Sequence, residues 1–285
     1  MTATTPTTLI DGLVFPEGLR WHDGRLWLSD MYAGKVLTVG LDGATEEVAE
    51  VPGRPSGIGF LPDGTPLVVS MEDHRLLRLT ADGPVEHADL TALVSGHVND
   101  MLVGPDGRAY VGNFGFDFLG GADPAPANLV LVEPDGSARV VADGLMFPNG
   151  MALADDGATL LVAEMLAAKV SAFSVAADGS LSERRVFAEL PERFPDGVAL
   201  DADGNLWIAS SLSAEALLVA PGGEVLEQIS TAPLLAPACA LGGEDGRTLF
   251  LALAETSPEQ LAQGISSGRV DAVTVDVPAA GAGTR

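Results

Sequence analysis

Six short segments of the sequence share one layout: FPEGLRW (15–21), RPSGIGF (54–60), HVNDMLV (97–103), FPNGMAL (147–153), FPDGVAL (194–200) and PACALGG (237–243). Each runs into a turn. The residue six or seven places before the turn Asp is, in order, Glu17, Ser56, Asn99, Asn149, Asp196 and Cys239. Four of these six carry a carboxylate or amide oxygen. Brought together in a fold, Glu17 and Asp196 would repel each other and lose hydration, and a bound cation removes that cost. Two carboxylates with two amide carbonyls form a hard oxygen donor set, suited to Ca²⁺ first and to Mg²⁺ or Mn²⁺ next. Four protein ligands leave two or three positions of a six- or seven-coordinate ion for water or substrate. Any one of these residues could equally serve a strand entry by satisfying backbone donors. Four of them in register argue for a shared site.

The elements that would hold them are read from the turns. Asp-Gly pairs at 23, 63, 106, 156, 203 and 245 each stand before a strand-like run, as in WHDGRLWLSD (21–30) and LDADGNLWIAS (200–210). Asp-Gly between short apolar runs is a strong hairpin signal, because type I′ turns need φ > 0 at both central residues. A weaker hairpin lies between successive units, as in VGLDGATEEV and VEPDGSARVV. Each repeat of 40 to 50 residues therefore reads as about four short antiparallel strands, the period of a β-propeller blade. The expected fold is all-β: a six-bladed propeller with four-stranded blades. Radial symmetry then carries equivalent positions of the six innermost strands to the axis.

The 285 residues thus form one domain over residues 9–277, with flexible tails at 1–8 and 278–285. TLIDGL near residue 10 and RVDAVTVDV (269–277) are the segments expected to pair and close the ring. Fifteen Lys and Arg stand against 40 Asp and Glu, a formal charge of −25. Both nucleic acid and an anionic membrane reward basic patches, so neither is an expected partner. One cysteine excludes an intramolecular disulfide framework. No secretory signal and no 18-residue apolar run are recognised, so the expected location is the cytoplasm, as a monomer or a dimer.

If each innermost strand starts at its axial residue, the second strand returns to the same face. Asp30-Met31, Ser70-Met71, Asn113-Phe114, Glu164, Ser210-Ser211 and Glu255 would then rim a pocket there. Asn113, Phe114 and Glu164 are candidate substrate contacts on that ground. Two irregular insertions, 115–128 and 256–268, leave from such ends and would form walls or a lid. The second is expected to hold a short helix with Ser257 as its cap before Pro258. Phe114, Phe116 and Phe118 either offer apolar surface to a ligand or pack the insertion against blade 3. His97 could orient substrate or move a proton. Cys239, between alanines, reads as a small buried residue. No G-x-S-x-G, H-E-x-x-H, P-loop or G-x-G-x-x-G occurs.

FPEG, HVNDMLVGPDGRAYVGN, FPNGMAL and FPDGVALDADGNLW, in that order, resemble the SMP-30/gluconolactonase/LRE family over roughly residues 9–277. The resemblance implies a six-bladed propeller with one divalent metal ion in its axial tunnel, Ca²⁺ ahead of Mg²⁺, Mn²⁺ or Zn²⁺. The ligands would fall on Glu17, Asn149 and Asp196, with Asn99 as a fourth ligand or a contact to metal-bound water or substrate. It further implies hydrolysis of a lactone, with the cation as Lewis acid and Asp196 as general base or nucleophile. Asn99 and His97 would take part in binding or catalysis. A basic residue that binds sugar lactone in some members would fall on His97, and the apolar Phe114 and Phe116 favour a less polar lactone or ester. Two alternatives stand beside this reading: the same metal applied to phosphotriester hydrolysis or a non-hydrolytic biosynthetic step, and a non-enzymatic calcium-binding propeller.

Overall fold

Alternating apolar residues between Gly-containing turns fold as the periodicity predicts. The computed structural model describes residues 5–154, 157–261 and 263–281. Asp156 of the fourth turn and residues 1–4 and 282–285 of the two tails lie outside the described residues. Strands β1–β24, numbered in chain order, make six four-stranded antiparallel sheets. Five blades use consecutive strands. The sixth is ordered β22 (Leu235–Gly242), β23 (Thr248–Glu255), β24 (Ser267–Thr274), β1 (Thr7–Leu13). The pairing of β1 with β24 closes the ring with main-chain hydrogen bonds, Thr7 standing opposite Ala272. The C-terminal boundary extends past 277: Ala202 N–H donates to Pro278 O, and Ala280 N–H to Leu200 O.

The innermost strands are β2 (Pro16–His22), β6 (Pro55–Phe60), β10 (Val98–Val103), β14 (Pro148–Ala154), β18 (Pro195–Leu200) and β22. All six break register with the second strand at the same place. The shifts fall between Glu17 and Arg20, Pro55 and Ile58, Val98 and Met101, Pro148 and Met151, Pro195 and Val198, and Leu235 and Ala238. A bulge re-aims the residue it contains, and in each strand it contains or adjoins the axial residue. The bulge directs the axial side chains toward the axis instead of into the layers between blades. Cys239 is the exception, packing among Trp207, Ala209 and Leu251 between blades 5 and 6.

The glycine after the axial residue has a packing role distinct from a turn. A Cβ at Gly150 would lie 2.5 Å from the Asp196 carbonyl oxygen and 2.7 Å from Val198 N. One at Gly57 would lie 2.5 Å from Met101 N. Adjacent inner strands therefore meet backbone to backbone at this level, which only glycine permits. Between blades the core is ordinary: Trp207 and Phe250 are fully buried in wedges of Leu, Val and Ala. Helix α1 (Pro258–Leu261) occupies the second insertion, and its Gln260 N–H donates to Ser257 Oγ at 3.3 Å. Among the described residues no helix is long and apolar enough to cross a membrane.

Candidate metal centre

The bulged positions bring the oxygen donors together. Asn99, Asn149 and Asp196 are 4–5% exposed, and Glu17 is partly buried beside them. Burial first, and then the Asp100 carboxylate, pushes Glu17 up to about 8. Asp196 is raised well above the usual carboxylate range by burial, then by Glu17 and Asp100. Ser211 and Asn149 donate side-chain hydrogen bonds to Asp196, yet its Oδ1 is buried with no partner. An unsatisfied buried carboxylate oxygen is costly unless something positive meets it. Ser56 Oγ donates to Asn99 Oδ1 at 3.3 Å, which leaves that carbonyl a second lone pair.

These residues fit a divalent cation on the chemistry of the donor set: two carboxylates that disfavour each other's charge, two amide oxygens and one orphaned oxygen. Among the described residues, no three His, Cys, Asp or Glu are grouped to hold a metal. A cation held here would need the amide oxygens of Asn99 and Asn149 beside the carboxylates. Cys239 stands at the equivalent position of the sixth blade at 1% exposure, its thiol directed at Gly197 O and Trp207 O. Burial pushes that thiol up to about 12, so it is no nucleophile at neutral pH.

The rim differs from expectation. Asn113 and Glu164 are fully buried and turned into their own blades. Asn113 Nδ2 donates to Asn128 O, and its Oδ1 accepts the Gly115 N–H, so it ties down both ends of the first insertion. Glu164 accepts hydrogen bonds from Met146 N–H, Ser171 Oγ and Arg184 Nη2. Asp30 and Ser210 do the same kind of work, accepting the Phe15 and Phe194 N–H groups. The ends of the second strands therefore cap the linkers that enter the inner strands. Such linkers carry buried N–H groups that need acceptors.

Phe114 is buried and stacks on Phe147, with ring centroids 4.3 Å apart. Phe116 and Phe118 meet Phe147 edge-on at 6.2 and 5.3 Å. The phenylalanines thus pack the first insertion onto blades 3 and 4, and Phe114 leaves only its tilted contact with His97, at 6.0 Å, toward the polar side. His97 is half-buried, and burial together with the neighbouring His74 pushes its imidazole down. The opposite, turn-bearing face opens into a cavity of about 1630 Å³ whose lining includes His22, Phe60, Leu102, Leu153 and Leu200. It contains none of the axial oxygen donors, and donor chemistry rather than volume identifies the centre.

Two charged residues beside the centre were not anticipated. Asp100 is 6% exposed and raises both Glu17 and Asp196. Arg20 Nη2 reaches its Oδ1 at 2.9 Å across the tunnel. The sequence signal was present: at the position after the axial residue the six repeats read Gly, Gly, Asp, Gly, Gly, Ala.

Comparison with known proteins agrees with the fold. The SMP-30/Gluconolactonase/LRE-like region model matches residues 15–255. The chain is 29% identical to a 6-deoxy-6-sulfogluconolactonase of Pseudomonas putida, over 91% of this chain and 88% of that protein. A gluconolactonase structure from Xanthomonas campestris superimposes with a TM-score of 0.74 at 24% identity, covering 95% of this chain and 88% of that one. A regucalcin structure from Agrobacterium tumefaciens, described as a calcium-binding protein, gives 0.76 at 16% identity, covering 96% and 97%. With six blades, oxygen donors at the axis and a family match across all six repeats, this chain belongs to the SMP-30/gluconolactonase/LRE-like family.

Proposed function

We propose that the protein is a divalent-metal-dependent hydrolase that opens a lactone to its hydroxy acid, and that it works in the cytoplasm. The observation that carries the reading is the Glu17–Asp196 pair, two carboxylates raised by burial, with Glu17 raising Asp196 further and Asp196 Oδ1 unpartnered. The similarity to a sulfogluconolactonase over nearly the whole chain supports the choice of a lactone. Glu17, Asn149 and Asp196, with Asn99, would hold the cation, Ca²⁺ first given the calcium-binding relative of the same fold. When bound, the cation supplies Lewis-acid polarisation of the lactone carbonyl and stabilises charge developing on its oxygen.

The chain's own groups do the rest. Asn149 and Ser211 hydrogen-bond the Asp196 carboxylate and leave Oδ1 without a partner. With that oxygen Asp196 either takes a proton from the attacking water or attacks the carbonyl carbon itself. In the first case the water oxygen bonds to the carbonyl carbon, the ring C–O bond breaks, and the leaving alkoxide takes the proton that Asp196 removed from the water. In the second, ring opening leaves an anhydride on Asp196 that water then hydrolyses, the alkoxide taking one of that water's protons. Asn99 holds the substrate or the attacking water by its amide. His97, beside Phe114, accepts or donates one hydrogen bond to the substrate and orients it.

The test is turnover of sugar, aliphatic and aromatic lactones, with a fluorophosphate for comparison, by the wild type and Asp196→Asn. The expected result is lactone turnover that falls by about 100-fold or more in the variant. Activity near wild type would overturn the role of Asp196. Turnover of the fluorophosphate alone would overturn the lactone.

A further inference from the structure

Arg20 and Asp100 break the repeat pattern at two places, and the two departures meet. One residue past the axial position, the repeats carry glycine or alanine except for Asp100. Three residues past it they read Arg20, Gly59, Leu102, Ala152, Ala199 and Gly242, with one charge among the six. Arg20 lies in blade 1 and Asp100 in blade 3, 80 residues apart, yet Nη2 is 2.9 Å from Oδ1. The guanidinium is held at three points, since Nη2 also donates to Met101 O at 2.6 Å and Nη1 to Leu19 O at 2.8 Å. Asp100 Oδ1 accepts the Met101 N–H at 2.7 Å as well. The side chains are 20% and 8% exposed, so the pair is only weakly screened by solvent.

We propose that Arg20 is a positioning residue of the metal centre: it holds Asp100 off the cation and sets the charge of the chamber to match a divalent ion. The inference rests on the metal reading above. Glu17, Asp196 and Asp100 with one guanidinium leave two net negative charges around the site, the complement of a dication. Without Arg20 the same chamber would present three carboxylates, a set that favours a trivalent ion and lets Asp100 swing in as a ligand. Without the Asp100 carboxylate, an uncompensated guanidinium would face the cation and repel it.

Opposite signs follow for the two single variants. Calorimetric titration of Ca²⁺ and Tb³⁺ into EDTA-stripped protein at about pH 8 reads them without reference to any substrate. Arg20→Met should tighten Ca²⁺ binding by about tenfold or more and raise the preference for Tb³⁺ over Ca²⁺. Asp100→Asn should weaken Ca²⁺ binding by a similar factor. The double variant Arg20→Met/Asp100→Asn should return close to wild type, and Arg20→Lys should recover most of the wild-type selectivity. The double and Lys variants keep the chamber's charge matched, so they serve if Arg20→Met fails to fold. Wild-type protein that binds no divalent ion overturns the metal reading, and this inference with it. Wild-type binding with variants unchanged within twofold, or with both singles weaker and the double their product, overturns the role of Arg20 alone.

Discussion

Glu17 gives the account a thermodynamic handle that needs no substrate. In the metal-free protein its carboxyl is raised from 4.5 to about 8, first by burial and then by Asp100. The folded state therefore holds a proton that the unfolded chain releases above pH 4.5. This contribution to stability is complete below that value and is lost as pH rises through the folded value near 8. At pH 7 the loss amounts to roughly 3 kcal/mol, from 1.36 kcal/mol per unit over the interval already crossed. For a chain of this size that lowers Tm by roughly 6 °C. Surface carboxylate repulsion in a protein of charge −25 also lowers Tm as pH rises. His97, pushed down from its ordinary value, contributes with the opposite sign: its share is present above pH 6.5 and is lost as pH falls. Both effects are common to wild type and Glu17→Gln and cancel in the difference. Thermal unfolding in EDTA from about pH 5 to pH 8 should therefore show wild type falling by roughly 6 °C more than Glu17→Gln. Millimolar Ca²⁺ should abolish the excess, because a cation between the carboxylates favours their charged forms. Parallel curves for the two proteins in EDTA would refute a strained Glu17.

Two further substitutions separate the parts of the site. Gly150→Ala places a Cβ 2.5 Å from the Asp196 carbonyl, and the resulting shift between inner strands should cost about 1–3 kcal/mol by chemical denaturation and weaken Ca²⁺ binding as well; wild-type stability would contradict the close approach of β14 and β18. Cys239→Ala should keep full activity, and native protein should resist thiol alkylation at pH 8, because the thiol is buried and pushed up to about 12; rapid modification with loss of turnover would instead make it part of the machinery.

The fold and the oxygen donors were readable for the same reason. Each of Glu17, Asn99, Asn149 and Asp196 precedes a repeated turn by a nearly fixed interval, and ring closure converts that interval into a radius. The glycines after Glu17, Asn149 and Asp196 were readable as positions but not as contacts. Alone, FPNG or FPDG looks like turn chemistry, and only the neighbouring strand shows that Gly150 is there to let Asp196 approach. Asn113 and Glu164 were misplaced for a related reason. Their position at the end of the second strand is as expected, but that position faces two ways, toward the mouth and toward the linker of the same blade. The buried N–H groups of Met146 and Gly115 decided it, and no local pattern encodes which carbonyl or amide a side chain will meet. Arg20 and Asp100 belong to strands 80 residues apart, and each alone resembles a solvated charge.

The central claim is that the axial carboxylates and amides hold a divalent ion on which lactone opening depends. It is tested most directly by the initial rate of gluconolactone hydrolysis by EDTA-stripped protein as Ca²⁺ is added back, with circular dichroism recorded on the same samples. The expected result is an unchanged β spectrum, a stripped protein at the background rate, and saturable recovery that Asp196→Asn does not show. A stripped, folded protein that hydrolyses the lactone at the full rate would contradict it.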